Sequence, residues 1–203
     1  MVQWGPGIGV MLYGLIVEDG CLLRAIPTLL ARLVGIGEDV PECRLMNGKP
    51  DFVANFWKFA REFQLRYPKM HKAIGVCDAD TDSPSDLEGR LMERARARLQ
   101  GLPFPLVIHV IKRELETWWI ADPASIRTLT GVEMPFPGGN VEDSVNDPKG
   151  YVARYLGAHR RSYTPAVAED AARHMDLGTV SSRCPGFVRF RARVENGGVD
   201  RRF

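Results

Sequence analysis

The residues best suited to chemistry are carboxylates that directly follow apolar runs. Leu15-Ile16-Val17 leads into Glu18-Asp19, and Ile74-Gly75-Val76-Cys77 leads into Asp78-Ala79-Asp80-Thr81-Asp82. Short, wholly apolar runs of this kind are buried parallel strands. In an open parallel sheet, reactive groups collect at the C-terminal ends of the strands, where the loops converge on a crevice. Glu18 and Asp78 are therefore expected at one sheet edge. Asp80 lies two residues beyond Asp78, so an extended backbone would turn both side chains the same way. Acids packed this closely repel unless a proton or cation neutralises them. Hard oxygen donors with no neighbouring His or Cys select Mg2+ or Mn2+. An isolated Asp-x-Asp run is more often a polar turn that caps the next helix. Its position after a buried strand, with a second strand ending in Glu18, reverses that preference. A calcium-binding EF-hand loop is excluded, because Ser83-Pro84 stands where the glycine turn is required and no bidentate glutamate follows.

Other chemistries find little support. His71, His109, His159 and His174 are scattered and have no evident nucleophile partner, so a Ser-His-Asp or Cys-His device is not expected. No GxxxxGK[ST] loop is present, which leaves any ATP hydrolysis to another chain. Cys21, Cys43, Cys77 and Cys184 form no CxxC pair and no zinc spacing. They are expected to be reduced, with Cys77 a small buried hydrophobe, as in a cytoplasmic protein. The apolar stretch over 1–17 lacks a basic leader and meets Glu18 and Asp19 too early to span a membrane.

The elements that must hold these acids alternate as strands and crossover helices do in a mostly parallel α/β sheet. Strands are expected over 11–17, 43–46, 72–77 and 106–111. The first helix carries Leu22, Leu23, Ile26, Leu29, Leu30 and Leu33, with Pro27 kinking it or delaying its start and Gly35-Ile36-Gly37 stopping it. A second helix shows Phe52, Phe56, Phe59 and Phe63, flanked by Val53 and Trp57, and a third starts near Ser83-Pro84 and runs to about Leu99. Helical character resumes over 112–120, followed by a long loop over 130–149, short helices over 151–156 and 165–174, and a closing helix or strand from Pro185. The resulting organisation is a flexible lead-in over 1–10, an α/β core over 11–128, and a loop with a mainly helical C-terminal elaboration over 129–203 packed on the core.

Across 203 residues, Lys and Arg number 27 and Asp and Glu 25, so the net charge of +2 neither requires nor forbids a polyanionic partner. Distribution is more telling. His159, Arg160, Arg161, Arg183, Arg189, Arg191, Arg193, Arg201 and Arg202 make the last quarter basic. Arg160, Arg161, Arg189 and Arg191 are the candidates for nucleic-acid contacts, against the alternative of an ordinary solvated face.

The order strand-Glu-helix, strand-helix, strand-DxD-helix resembles the TOPRIM domain of topoisomerases, primases and OLD-type nucleases. Ile111-Lys112-Arg113-Glu114-Leu115-Glu116-Thr117-Trp118 looks like the RExEaW motif of a bacterial TOPRIM-like family, domain of unknown function 4276. Asn146-Asp147-Pro148-Lys149, Tyr163-Thr164-Pro165 and Cys184-Pro185-Gly186-Phe187 resemble that family's NPK, YxK and SpSF elements in order. The chain departs from the family in having Glu18-Asp19-Gly20 for EG, no lysine after Tyr163, and Cys184 and Gly186 in place of the serines. The resemblance implies a TOPRIM-like Rossmannoid fold in which Glu18 is an acid/base or metal ligand and Asp78 and Asp80 are ligands. It further implies that Glu114 or Glu116 completes a second metal position and that Lys149 approaches the scissile phosphate. Residues two apart on a helix diverge, so only one of the two glutamates is expected to reach the metals.

These readings converge on an Mg- or Mn-dependent nuclease, with DNA favoured over RNA. The resemblance adds a prokaryotic defence role beside an ABC- or SMC-like ATPase chain. The competing class is a non-catalytic subunit that binds nucleic acid or a partner through its basic quarter. Phosphotransfer on a small nucleotide is a third.

Overall fold

The computed structural model describes residues 12–35 and 42–195. The lead-in over 1–10, Met11, Ile36, Gly37, Arg201 and Arg202 lie outside them. Four strands, β1 (Tyr13–Val17), β2 (Glu42–Leu45), β3 (Lys72–Asp78) and β4 (Leu106–Ile111), form one parallel sheet in the order β2-β1-β3-β4. The α/β architecture with a parallel sheet flanked by helices is thus the one expected from the alternation of runs.

Three crossover helices connect the strands: α1 (Gly20–Val34), α2 (Gly48–Arg66) and α3 (Pro84–Arg96). Leu15, Val17, Ile74 and Val76 face the side covered by α1, while Ile16, Ala73, Cys77 and Val110 face α2 and α3. The chain leaves β1 towards β2 but leaves β3 towards β4. A topological switch point therefore opens between the C-terminal ends of β1 and β3. Gly14 and Gly75 admit the bulky side chains packed on this sheet. A Cβ at Gly14 would lie 2.7 Å from Phe63 Cε2, and one at Gly75 2.8 Å from Ile108 Cδ1. Pro27 sits inside α1 and does not delay its start, and Gly35 ends that helix at φ 63°.

Beyond β4 the regular elements among the described residues are helices, α4 (Glu116–Ala121), α5 (Ala124–Thr130), α6 (Val141–Ser144), α7 (Pro148–Ala158), α8 (Pro165–His174), α9 (Leu177–Arg183) and α10 (Pro185–Glu195). Several boundaries differ from expectation. The helix expected from Lys112 begins only at Glu116, because Arg113 adopts φ 63° and breaks the helical path. The long loop over 130–149 contains α6 and ends where Asp147 caps α7 at Pro148. Helices α5 and α9 were not anticipated, and the closing segment is a helix. Its Phe187, Phe190 and Val194 are buried in the cluster that contains Trp118, which gives the segment a helical apolar face. Among the described residues, no helix is long and apolar enough to cross a membrane.

The C-terminal helix is fastened to the sheet by polar contacts. β4 is an edge strand, and its unpaired backbone groups need partners. Arg193 donates to Ile108 O at 2.9 Å and Glu88 accepts from Val110 N at 2.9 Å, while Arg193 and Glu88 pair bidentately at 2.5 and 2.7 Å. This ion pair stands where a fifth strand would. Lys72, fully buried at the start of β3, donates to Arg193 O and Val194 O at the end of α10.

Removing one member of such a pair strands the other with no charge to answer it. Arg193→Ala should cost about 3 kcal/mol, with urea unfolding as the measurement. A loss below about 0.5 kcal/mol, the level of a plain surface substitution, would show that the edge pair does not hold α10. Gly14→Ala should lose about 1–3 kcal/mol through overpacking against Phe63 in the same assay.

Candidate functional site

The switch point gathers the acids. Glu18 follows β1, and its backbone N–H donates to Val76 O at 3.2 Å. Its carboxylate reaches across to the end of β3 and accepts the Asp78 N–H at 3.0 Å. Each strand end therefore fixes the other. Asp78 Oδ1 is buried, and no donor reaches it among the described residues. Burial first, and then the charges of Glu116, Glu18, Asp19 and Asp80, hold the Asp78 carboxyl well above the usual range. Glu18 is likewise raised by burial, opposed by the Asp78 N–H and reinforced by Asp80 and Asp19. Asp19 also caps α1 by accepting from Leu22 N at 2.9 Å.

Past the strands, Ala79 N pairs with Ile111 O and Asp80 N with Arg113 O, both at 2.8 Å. Asp80 at φ 52° and Arg113 at φ 63° are both left-handed, a conformation that costs non-glycine residues about 1–3 kcal/mol each. This turn corrects the expectation that Asp78 and Asp80 face the same way. Asp80 is exposed, and it meets Lys49 Nζ at 3.1 Å, beside Asp82 at 3.0 Å. Burial works against the Lys49 charge, but Asp82 and Asp80 outweigh it and raise the Lys49 pKa.

Glu116, in the first turn of α4, is 2 % exposed and is pushed up to about 7, chiefly by burial. The Tyr163 hydroxyl, which accepts from Trp119 Nε1 at 3.2 Å, donates to it. Glu114 stands in the turn before α4, so the two glutamates do not share a helix face. Its Oε2 accepts from Lys149 N at 2.9 Å. Of the pair, Glu116 is the one beside Asp78, where it supplies the strongest neighbouring charge. Lys149 begins α7. Burial opposes its charge, but Glu116, Asp19, Cys21 and Glu114 raise its pKa. The Cys21 thiol, hydrogen-bonded to Tyr163, is pushed up to about 11 by burial and by Asp19, so it stays protonated and a poor nucleophile.

The structure thus brings Glu18, Asp78, Glu116 and Lys149 into one electrostatic cluster, with Asp80 and Glu114 at its margins. Among the described residues, no three carboxylates, thiols or imidazoles already converge as ready ligands of one ion. The four basic candidates fall elsewhere. Arg160 and Arg161 lie exposed in the turn after α7, where Arg160 adopts φ 57°. Arg189 and Arg191 are exposed on α10, and Arg191 is paired with Glu195 at 2.8 Å. Arg193 is spent on the sheet edge, and Arg183 on Ala121 O at 2.7 Å and the Phe136 ring. Sequence reasoning assigned no role to Tyr163 or Lys49. Lys49 was within reach of the same logic, since its turn follows β2 at the same sheet edge. Tyr163 was marked only by its likeness to the YxK element, and its place beside Glu116 came from tertiary packing that returns the segment after α7.

A parallel sheet whose switch point is lined by mutually perturbed acids defines an open α/β domain with its candidate site at the C-terminal edge of the strands. The family model described as "Domain of unknown function (DUF4276)" matches residues 51–195, and the chain belongs to that family. Glu18 and β1 precede the matched stretch. No curated protein and no solved structure matches the chain.

The raised acids carry a thermodynamic consequence. A carboxyl whose folded pKa is raised binds protons in the native state that the unfolded chain has released, so stability falls as pH rises between the two values. For Glu116 that interval runs from 4.5 to about 7. The metal-free protein should therefore lose melting temperature across it. Glu116→Gln and Asp78→Asn should each flatten that decline and raise Tm at pH 7, as read by calorimetry. An unchanged pH profile in both variants would mean the cluster is ordinarily solvated.

Proposed function

We propose that the chain is a metal-dependent nuclease of TOPRIM type, hydrolysing phosphodiester bonds in DNA in preference to RNA. The observation that carries this reading is the buried Asp78 Oδ1, without a hydrogen-bond donor, in the midst of Glu18, Glu116, Asp19 and Asp80. A group so placed is costly unless a proton or cation answers it. The donors are oxygens alone, which suits Mg2+ or Mn2+. Glu18, Asp78 and Glu116 would hold the ion, and Asp80 would join them on leaving Lys49. Such an ion supplies Lewis-acid neutralisation of charge on the phosphoryl and leaving oxygens.

The chain's own residues account for the rest. Glu18, with its raised pKa, is suited to take a proton from an attacking water. Lys149 keeps its charge at neutral pH and offers it to a phosphate beside the acids. Tyr163 and Trp119 hold Glu116 in register. The order of the Glu and DxD elements along the chain supports the kinship with OLD-type nucleases. The same resemblance points to an ABC- or SMC-like ATPase as partner, in a cytoplasmic effector of prokaryotic defence.

A second reading, a non-catalytic nucleic-acid- or partner-binding subunit, is favoured by one observation. Glu18, Asp80 and Glu114 already satisfy the Asp78 N–H, Lys49 and the Lys149 N–H. The two readings separate in a cleavage assay on labelled DNA and RNA with Mn2+ or Mg2+, run with and without an ATPase partner. The nuclease reading expects metal-dependent cutting that Asp78→Asn or Glu18→Gln lowers at least about 100-fold. Intact substrate under every condition would leave only the binding subunit, and an Asp78→Asn protein as active as the parent would overturn the reading of these acids as the catalytic centre.

A further inference from the structure

The face of the molecule beside the acids carries a feature the basic C-terminal quarter does not share. Helices α2 and α3 both start at the C-terminal edge of the sheet and run back across the same face. Between them opens a cleft of about 610 Å3 whose mouth is Lys49, Asp80 and Asp82. Its floor is apolar, with Pro50, Val53, Leu87 and Leu91, and its α3 wall carries Arg90 and Arg94. That volume is in the range of sites that enclose a nucleotide-sized ligand.

The cationic wall is graded along α3. Arg90 and Arg94 stand one turn apart on one face of the helix, about 6 Å along its axis and on the scale of successive phosphates in an extended strand, and Arg98 follows in the turn just past the helix end. Arg94 is anchored to Val53 O at 2.7 Å, and Arg90 leans on Asp82 at 3.1 Å. Among the described residues, Arg94 and Arg98 meet no carboxylate. Arg98 instead lies over the Trp57 ring, 5.5 Å from its centroid, one turn beyond Val53 and Ala54 on α2. The Trp57 indole donates to Ala54 O, which fixes the ring beside the guanidinium. A line of cations with an aromatic plane among them is the combination that binds single strands, by phosphate neutralisation and base stacking.

We propose that the α2–α3 groove is the track for a single-stranded nucleic acid, with backbone phosphates on Arg90, Arg94 and Arg98 and a base on Trp57, leading to the acids past Lys49. This deepens the nuclease reading and rests on it for what happens at the acids, but the binding itself needs no metal. The occupant is argued from charge complementarity. Four cations, Lys49, Arg90, Arg94 and Arg98, face two acids, Asp80 and Asp82, and the surplus of positive charge lies along the wall away from the mouth.

The test is fluorescence anisotropy with a 5′-labelled oligo-dT single strand and a labelled duplex, in EDTA, across a salt series. Arg90 and Arg98 are exposed, so Arg90→Ala/Arg98→Ala should fold as the parent does, checked by its melting temperature. The expected result is tighter binding of the single strand than of the duplex, at least about tenfold weaker binding by the double variant, and a salt slope shallower by about 1.4, at about 0.7 per lost phosphate contact. Trp57→Ala should weaken binding about fivefold to a hundredfold, with Trp57→Phe retaining most of the affinity. Unchanged affinity in the folded double variant, or a loss seen instead with Arg160→Ala/Arg161→Ala or Arg189→Ala/Arg191→Ala, overturns the groove. The two proposals fail separately. Strand binding lost in the groove variants of a protein that never cleaves sinks the nuclease and keeps the track, whereas Asp78-dependent cleavage with groove variants that bind normally does the reverse.

Discussion

Crowding buried and half-buried carboxylates at one sheet edge is unfavourable, and much of the local backbone is arranged around that cost. Glu18 and Asp78 approach because β1 and β3 are neighbours on either side of the switch point, and the Glu18 carboxylate takes the Asp78 N–H. That contact uses one acid to orient the other without answering the second acid's own oxygen. The chain then turns sharply. Asp80 and Arg113, paired through their backbones, both enter the left-handed region, which removes Asp80 from the buried knot and delivers it to Lys49. Strain of this kind persists only where the surroundings over-determine it.

The C-terminal helices complete the site and do not simply ornament the sheet. Glu116 comes from α4, Lys149 from α7 and Tyr163 from the turn before α8, so the acidic edge is finished by segments up to 145 positions from Glu18. Trp119 steadies Tyr163, and α10, with Phe187 and Phe190 in the Trp118 cluster, covers the same layer. At the other flank, Arg193 and Glu88 close the β4 edge and Lys72 caps the end of α10. Two of the arginines that make the last quarter basic in sequence are therefore structural in the fold, while α3, unremarkable in the sequence, presents a cationic face beside the acids.

The parallel sheet, its four strands and the acids at two strand ends were legible in the residues, because burial on both faces writes a strand as a continuous apolar run and places its polar exit at the edge. The phenylalanine spacing of α2 and the Ser-Pro start of α3 were legible for the same local reason. Three things were not. The partition between Glu114 and Glu116 turned on a single left-handed residue, Arg113, which ends the strand path and delays α4. The divergence of Asp80 from Asp78 had the same kind of cause. The roles of Tyr163, Lys49 and the basic residues depended on which distant segments fold back to meet them.

Local periodicity and the hydrophobic effect act along the chain, so the sequence by itself determined the sheet, its crossover helices and the convergence of Glu18 with Asp78. Electrostatic environment acts through space, falling with distance and rising with burial. Only the tertiary structure could therefore decide that Asp78 keeps an unanswered buried oxygen, that Glu116 is its neighbour, and which of the chain's arginines are left free to meet a charged partner.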